Sequence, residues 1–302
     1  MIKNKLKYSI LLPIIFLLFS FCDKAIVDEN AKWELIASDL NFPEGPVWNN
    51  NTLYFSSCFG GWIGKIENGQ LDTFLTASKT TFSNTNGLII DKDANIIAVE
   101  YGIGKLLKIS TDDKSVVVLS DGYNGKYFNH PNDLTFDNSG NIYFSDPKSY
   151  GRDILDGRVF YYDSKLGKVK LVADSLAYPN GIAISPIDNK LYLSESAKNR
   201  VLSFDILENG NLKNKKEFIQ LPGGDPDGLD FDKEGNLFVA HFGTGTVFII
   251  SQDGTILKEI KTPGEKPSNI EFGGKDLRTL FVTEDETNSI YKIITNTQGY
   301  KK

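Results

Sequence analysis

His130-Pro131-Asn132-Asp133-Leu134-Thr135-Phe136-Asp137-Asn138-Ser139-Gly140-Asn141-Ile142-Tyr143-Phe144-Ser145-Asp146-Pro147 is the stretch that decides the fold. It contains a polar lead-in, a short strand, a tight turn, a second strand and a closing acid. The same figure occurs five more times. Pro43-Glu44-Gly45-Pro46-Val47-Trp48 leads to Leu53-Tyr54-Phe55-Ser56, and Thr85-Asn86-Gly87-Leu88 leads to Ile96-Ile97-Ala98-Val99-Glu100. Pro179-Asn180-Gly181-Ile182 precedes Leu191-Tyr192-Leu193-Ser194-Glu195, and Pro226-Asp227-Gly228-Leu229 precedes Leu237-Phe238-Val239-Ala240-His241. Ser268-Asn269-Ile270 precedes Leu280-Phe281-Val282-Thr283-Glu284, with Ile in place of the glycine. Positions 44, 86, 132, 180, 227 and 269 are 42, 46, 48, 47 and 42 residues apart. That is the period of one four-stranded propeller blade.

Further short strands fill each interval, and no long helical periodicity interrupts them. The prediction is an all-β, six-bladed β-propeller over residues 31–295. Its last blade ends one strand short, at Ser289 to Ile294. The strand Trp33 to Ala37 is expected to pair there, closing the ring and covering an open edge.

Ahead of the propeller, Lys3, Lys5 and Lys7 precede an apolar run from Ile10 to Phe21. The run is too short to span a bilayer comfortably and has the shape of an export signal. Cys22 then resembles a bacterial lipoprotein acylation site, although Phe19-Ser20-Phe21 lacks the usual small residue before the Cys. Residues 1–22 are therefore expected to be a signal peptide with Cys22 lipidated. That would place the protein in the bacterial cell envelope, touching membrane only through its anchor. Their removal takes away three lysines and no acid, moving the net charge from −6 to −9. So acidic a chain is a poor partner for nucleic acid. Cys58 is then left without a disulfide partner and reads as a small buried residue. Nothing in the sequence demands an oligomer, and a monomer is expected.

The first strand of a propeller blade lines the central channel, so Glu44, Asn86, Asn132, Asn180, Asp227 and Asn269 should meet at one mouth. The antiparallel second strand returns there. It brings Ser57, Glu100, Asp146, Glu195, His241 and Glu284, at offsets of 13, 14, 14, 15, 14 and 15. Two carboxylates, Glu44 and Asp227, with the amide oxygens of Asn132 and Asn180, suit a hard divalent cation. Calcium is the first candidate, with zinc, manganese and magnesium as others.

Phe42-Pro43-Glu44-Gly45-Pro46-Val47-Trp48, Pro131-Asn132-Asp133, Pro179-Asn180-Gly181 and Asp225-Pro226-Asp227-Gly228 resemble, in order, the signature segments of the senescence marker protein/gluconolactonase/luciferin-regenerating-enzyme-like family. Tyr143 to Pro147 and Val239 to Gly243 are closest to its bacterial gluconolactonases. The resemblance implies a six-bladed propeller, one divalent metal in the channel, and hydrolysis of sugar lactones to aldonic acids. It implies Glu44, Asn180 and Asp227 as metal ligands, Asn132 between metal and substrate, and Asp227 as general base. His241 and His130 are alternative bases with a more suitable reference pKa. His130, Asp146 and Glu100, with Asn132, are expected to contact substrate. Two other readings stand beside the lactonase: a related esterase or phosphotriesterase on the same scaffold, and a non-catalytic calcium-binding surface propeller.

Overall fold

The inner strands of this chain have to bury two faces, and that requirement gives the molecule its shape. In the computed structural model, which describes residues 25–79 and 81–301, the described residues form six four-stranded antiparallel sheets. They are arranged as the blades of a propeller. Blades one to five are continuous segments, residues 43–76, 85–120, 134–176, 179–220 and 225–261. Blade six takes residues 267–294 and completes itself with the strand Glu34–Ala37. That strand pairs antiparallel with Ser289–Ile294, with Glu34 opposite Lys292 and Leu35 opposite Tyr291. The expected closure is therefore present, one residue shorter at its start. The one helical turn among the described residues is a 3₁₀ turn at Ser196–Lys198.

Second strands such as Ile142–Asp146 and Leu191–Glu195 are buried along their whole length. They read as continuous apolar runs rather than as an alternation because a blade packs on both sides. Outermost strands, Leu212–Gln220 for example, are mostly exposed. The core is six inter-blade layers. Val47, Ile63 and Phe74 of blade one pack on Leu88, Ile96 and Leu107 of blade two, and five similar clusters fill the other seams.

Near the axis each seam is also tied by polar contacts. Ser56 Oγ donates to Asn86 O at 2.7 Å, and Gly87 N to Asn132 O at 2.8 Å. Ile182 N donates to Asp133 Oδ2 at 3.2 Å, and Ser194 Oγ to Asp227 O at 2.7 Å. Phe272 N donates to Asp230 Oδ2 at 3.2 Å, and Trp48 N to Glu271 Oε1 at 2.9 Å. In this environment an unpaired amide would cost on the order of 1–3 kcal/mol.

Ordered packing runs past the expected limits of 31 and 295. Val27 is buried, and Asn296 N donates to Ile26 O at 2.7 Å. The C-terminal tail crosses the far ends of the inner strands, where Tyr300 N donates to Phe231 O at 2.8 Å and Lys301 Nζ to Trp48 O. The expected signal peptide and Cys22 lie outside the described residues.

Candidate active site at the channel mouth

Five of the six inner strands break register at or beside the key residue, and in blade three Asn132 stands just before the strand Leu134–Phe136. The pairing shifts between Glu44 and Val47, Thr85 and Leu88, Pro179 and Ile182, Pro226 and Leu229, and Pro267 and Asn269. Such an irregularity re-aims a side chain out of the pleat. The glycine that follows has its own reason. A Cβ at Gly181 would stand 2.1 Å from Asp227 O, and one at Gly228 would stand 2.7 Å from Asn269 Cα. Neighbouring inner strands approach so closely at the mouth that only glycine fits between one key residue and the next.

The result is a cavity of about 360 Å³ whose lining includes Glu44, Asn86, Asn132, Asn180 and Asp227. All five are at most 8% exposed. Asn269 is buried beside them, its Nδ2 3.4 Å from Glu44 Oε2. The four side chains expected to hold a cation therefore share one cavity. Asn86 Oδ1, Asn180 Oδ1 and Asp227 Oδ1 are buried and have no hydrogen-bond partner. Buried acceptors are rarely left so. Three orphaned oxygens beside two carboxylates form a donor set that fits a hard divalent cation. Among the described residues no cluster of three or more His, Cys, Asp and Glu side chains is placed to hold a metal. Half of this set is amide, and such a centre would lean on neutral oxygens.

Electrostatics sharpen that picture. Burial pushes the Glu44 carboxyl up to about 8, despite a bond from Gly45 N. Burial, then the Glu44 and Asp285 carboxyls, push Asp227 well above the usual range. Asp285, which the repeat pattern does not single out, is also buried, with both carboxyl oxygens unpartnered. Burial and Glu44 push it up to about 10. Without a cation the site retains protons that these acids would ordinarily give up.

The second ring lies outside the cavity lining. Glu100 is fully buried, is not part of the cavity lining, and accepts from Ser83 N, Asn84 N and Ile103 N at 2.9, 2.9 and 2.6 Å. Asp146 is likewise outside the lining, taken up by Asn129 N, His130 N and Arg158 Nη2 at 2.8, 3.0 and 2.6 Å. Glu195 and Glu284 repeat the arrangement with Ala177 N and Lys266 N. These acids brace the loop that enters their own blade.

Neither histidine is part of the lining. His241 is fully buried against Phe248, its Nδ1 2.7 Å from Thr244 Oγ1. Burial holds its pKa down to about 4, and it stands in the wall behind the lining rather than on it. His130 is also outside the lining. Its ring lies 4.8 Å from that of Tyr101, and its Nδ1 is 3.1 Å from Tyr101 O. It packs on Tyr101, which does line the cavity. Cys58 is a free, buried thiol that burial beside Glu44 pushes up, as befits a small packing residue.

The upper walls were not anticipated. Phe42, Phe59, Tyr101, Tyr150, Tyr178, Phe242, Ser196 and Asp225 complete the lining together with the buried Cys58. They sit in or beside the loops between strands, where the repeat carries no signal.

Comparison with known proteins follows the same lines. The SMP-30/Gluconolactonase/LRE-like region matches residues 42–285. The gluconolactonase of Zymomonas mobilis is 35% identical over 308 aligned positions, covering 91% of this chain and 84% of that protein. The diisopropyl-fluorophosphatase of Loligo vulgaris is 30% identical, covering 88% and 93%. The solved structure of a gluconolactonase from Xanthomonas campestris superposes with a TM-score of 0.79 at 27% identity, covering 90% of this chain and 92% of that one.

Proposed function

The chain belongs to the SMP-30/gluconolactonase/LRE-like family, and on that premise we propose that it is a divalent-cation-dependent lactone hydrolase opening sugar lactones to aldonic acids. One observation carries the reading. Glu44, Asn132, Asn180 and Asp227 converge on one cavity, with the Asn180 and Asp227 oxygens unpartnered. Glu44, Asn180 and Asp227, with Asn132, would hold the cation, calcium being the first choice for oxygen-only donors. When bound, such an ion polarises a carbonyl oxygen and offsets the charge that develops on it.

The protein's own groups supply the rest. Asp227 takes a proton from the attacking water, whose oxygen bonds to the lactone carbonyl carbon. The ring C–O bond then breaks, and the proton passes to the departing ring oxygen to give the hydroxy acid. Asp227 lines the cavity and His241 does not, which favours Asp227 as the acceptor. Asn132 positions the lactone beside the cation, and the dry walls keep these interactions strong.

The test is hydrolysis of glucono-1,5-lactone by chelator-treated protein titrated with calcium, zinc, manganese and magnesium. Activity that returns with one of the ions, and that Asp227→Asn lowers by about 10² or more, is the expected result. Cation binding without hydrolysis of any lactone or ester would favour the non-catalytic propeller. The likeness to a diisopropyl-fluorophosphatase favours a phosphotriester as a second substrate to include.

A further inference from the structure

Above the acidic floor, the cavity has a collar of aromatic side chains that the lactonase chemistry does not use. Phe42 and Phe59 of the first blade pack with ring centres 4.4 Å apart and planes tilted by 34°. Across from them, three tyrosines link into an arc. The Tyr101 and Tyr178 hydroxyls are paired, and the Tyr178 ring meets that of Tyr150 edge-on at 5.3 Å. Tyr150 belongs to the loop that joins Ile142–Asp146 to Gly157–Asp163 in blade three. It reaches past blade four to blade five, where its hydroxyl donates to the Asp225 carboxylate, 2.9 and 3.0 Å from the two oxygens. Its ring remains 59% exposed while still lining the cavity. A large aromatic side chain held out over a cavity by a bond 75 residues away in sequence is not explained by packing. Burial raises the pKa of Asp225, and the bond from Tyr150 partly offsets this, so the two groups stabilise each other's position.

The charges of the lining point the same way. Glu44, Asp225 and Asp227 all contribute carboxyls, and no Lys or Arg is among the lining residues. Lys266 lies 5.8 Å from the Phe242 ring but outside the lining. With a divalent cation held by Glu44 and Asp227, the three carboxyls of the lining still leave one uncompensated negative charge, and a phosphorylated or sulfonated substrate would meet it as an unfavourable like charge. An uncharged ring meets flat aromatic faces and hydroxyl groups.

We propose that the aromatic collar selects lactones with an uncharged ring, and that Tyr150, tethered to Asp225 as a half-roof over the cavity, is the residue that sets their affinity. The inference rests on the lactone-hydrolase reading above. Tyr150 touches the bound ring and takes no part in bond breaking. Its loss should therefore fall on KM and not on kcat.

The experiment compares the calcium-loaded protein with Tyr150→Phe and Tyr150→Ala on glucono-1,5-lactone, dihydrocoumarin and 6-phosphoglucono-1,5-lactone. Binding of the non-hydrolysable lactam of gluconic acid is followed by calorimetry in parallel. The wild type should prefer the two neutral lactones over the phosphorylated one by about 10² or more in kcat/KM, as one uncompensated charge warrants. Tyr150→Ala should raise KM for the neutral lactones about tenfold and weaken the lactam equally, the loss of one aromatic contact. Tyr150→Phe, which keeps the ring but releases it from Asp225, should give a smaller rise. Comparable turnover of the phosphorylated lactone, or unchanged KM and lactam affinity in Tyr150→Ala, would overturn the proposal. If no lactone is cleaved, the catalytic reading fails, and the lactam arm alone decides the collar: weaker binding to Tyr150→Ala supports it, and equal binding or none refutes it.

Discussion

Glu44 is held where water cannot solvate its charge, so a proton or a cation has to neutralise it. Its carboxyl is pushed up to about 8, against an ordinary value of 4.5. In the cation-free protein, folding therefore takes up a proton between those limits, and stability declines as pH rises through the window. His241 acts in the opposite sense, because its pKa is depressed to about 4. Its contribution is complete above about pH 6.5 and is lost as pH falls toward 4. Between pH 6.5 and 8 the acids alone set the slope. A cation that replaces the proton should reverse that slope, binding about tenfold more tightly per pH unit for each proton displaced. Calorimetry with calcium in two buffers of different ionisation enthalpy checks this. Proton release should be close to full near pH 6.5 and decline above pH 8 as Glu44 gives up its own proton, with Asp285 still contributing toward pH 10, whereas pH-independent affinity with no proton release would contradict it.

At the scale of the strand and its loop, identical spacing serves two different ends. Glu44, Asn132, Asn180 and Asp227 could be read from the sequence because each opens a repeated strand that must face the axis. Glu100 and Asp146 recur at equally regular offsets, yet their regularity comes from the loop amides they accept. A repeat reports that a position matters to every blade, and bracing satisfies that as well as binding does. Asp146→Ala should accordingly cost about 3 kcal/mol or more of stability, because Arg158 and two buried amides lose their partner. The folded fraction should keep its kcat/KM within a few-fold, and a selective rise in KM would restore Asp146 to the substrate site. Tyr150 and Asp285 lie in loops that differ from blade to blade, so no internal comparison could expose them. Gly181 is the converse case, legible as a motif but unexplained until Asp227 O is found 2.1 Å from where its Cβ would be. Backbone on both sides leaves nothing flexible to yield. Gly181→Ala should destabilise by about 3 kcal/mol, the upper range for overpacking, as read by urea denaturation. It should also weaken calcium binding, since the strand carrying Asp227 would be displaced.

For the molecule as a whole, six blades make a ring only if the sixth is fastened to the first, and one short strand adds to the contacts that fasten it. Glu34–Ala37 covers the edge of Ser289–Ile294, and Glu34 adds an ion pair to Lys292 at 3.1 Å. That exposed pair is worth less than about 1 kcal/mol. The strand matters more because it hides backbone groups that would otherwise template association with another chain. Beneath it, Ala37 and Leu40 are buried with Leu53, Phe55, Phe281 and Ile290, so the same segment seals the seam between blades six and one. Glu44 lies in the inner strand that follows, and its neighbour Asn269 comes from blade six, with Ser268 Oγ donating to Pro43 O at 2.9 Å across that seam. Loosening the closure should therefore be felt at the cation site as well as in global stability. A chain beginning at Asp39 should melt at a lower temperature, associate with itself, and bind calcium more weakly than the full chain. Glu34→Ala, which removes only the ion pair, should do none of these. Thermal unfolding with and without calcium, read beside light scattering, separates the outcomes: a shortened chain that stays monomeric with undiminished calcium stabilisation would mean that the ring holds itself together without its closing strand.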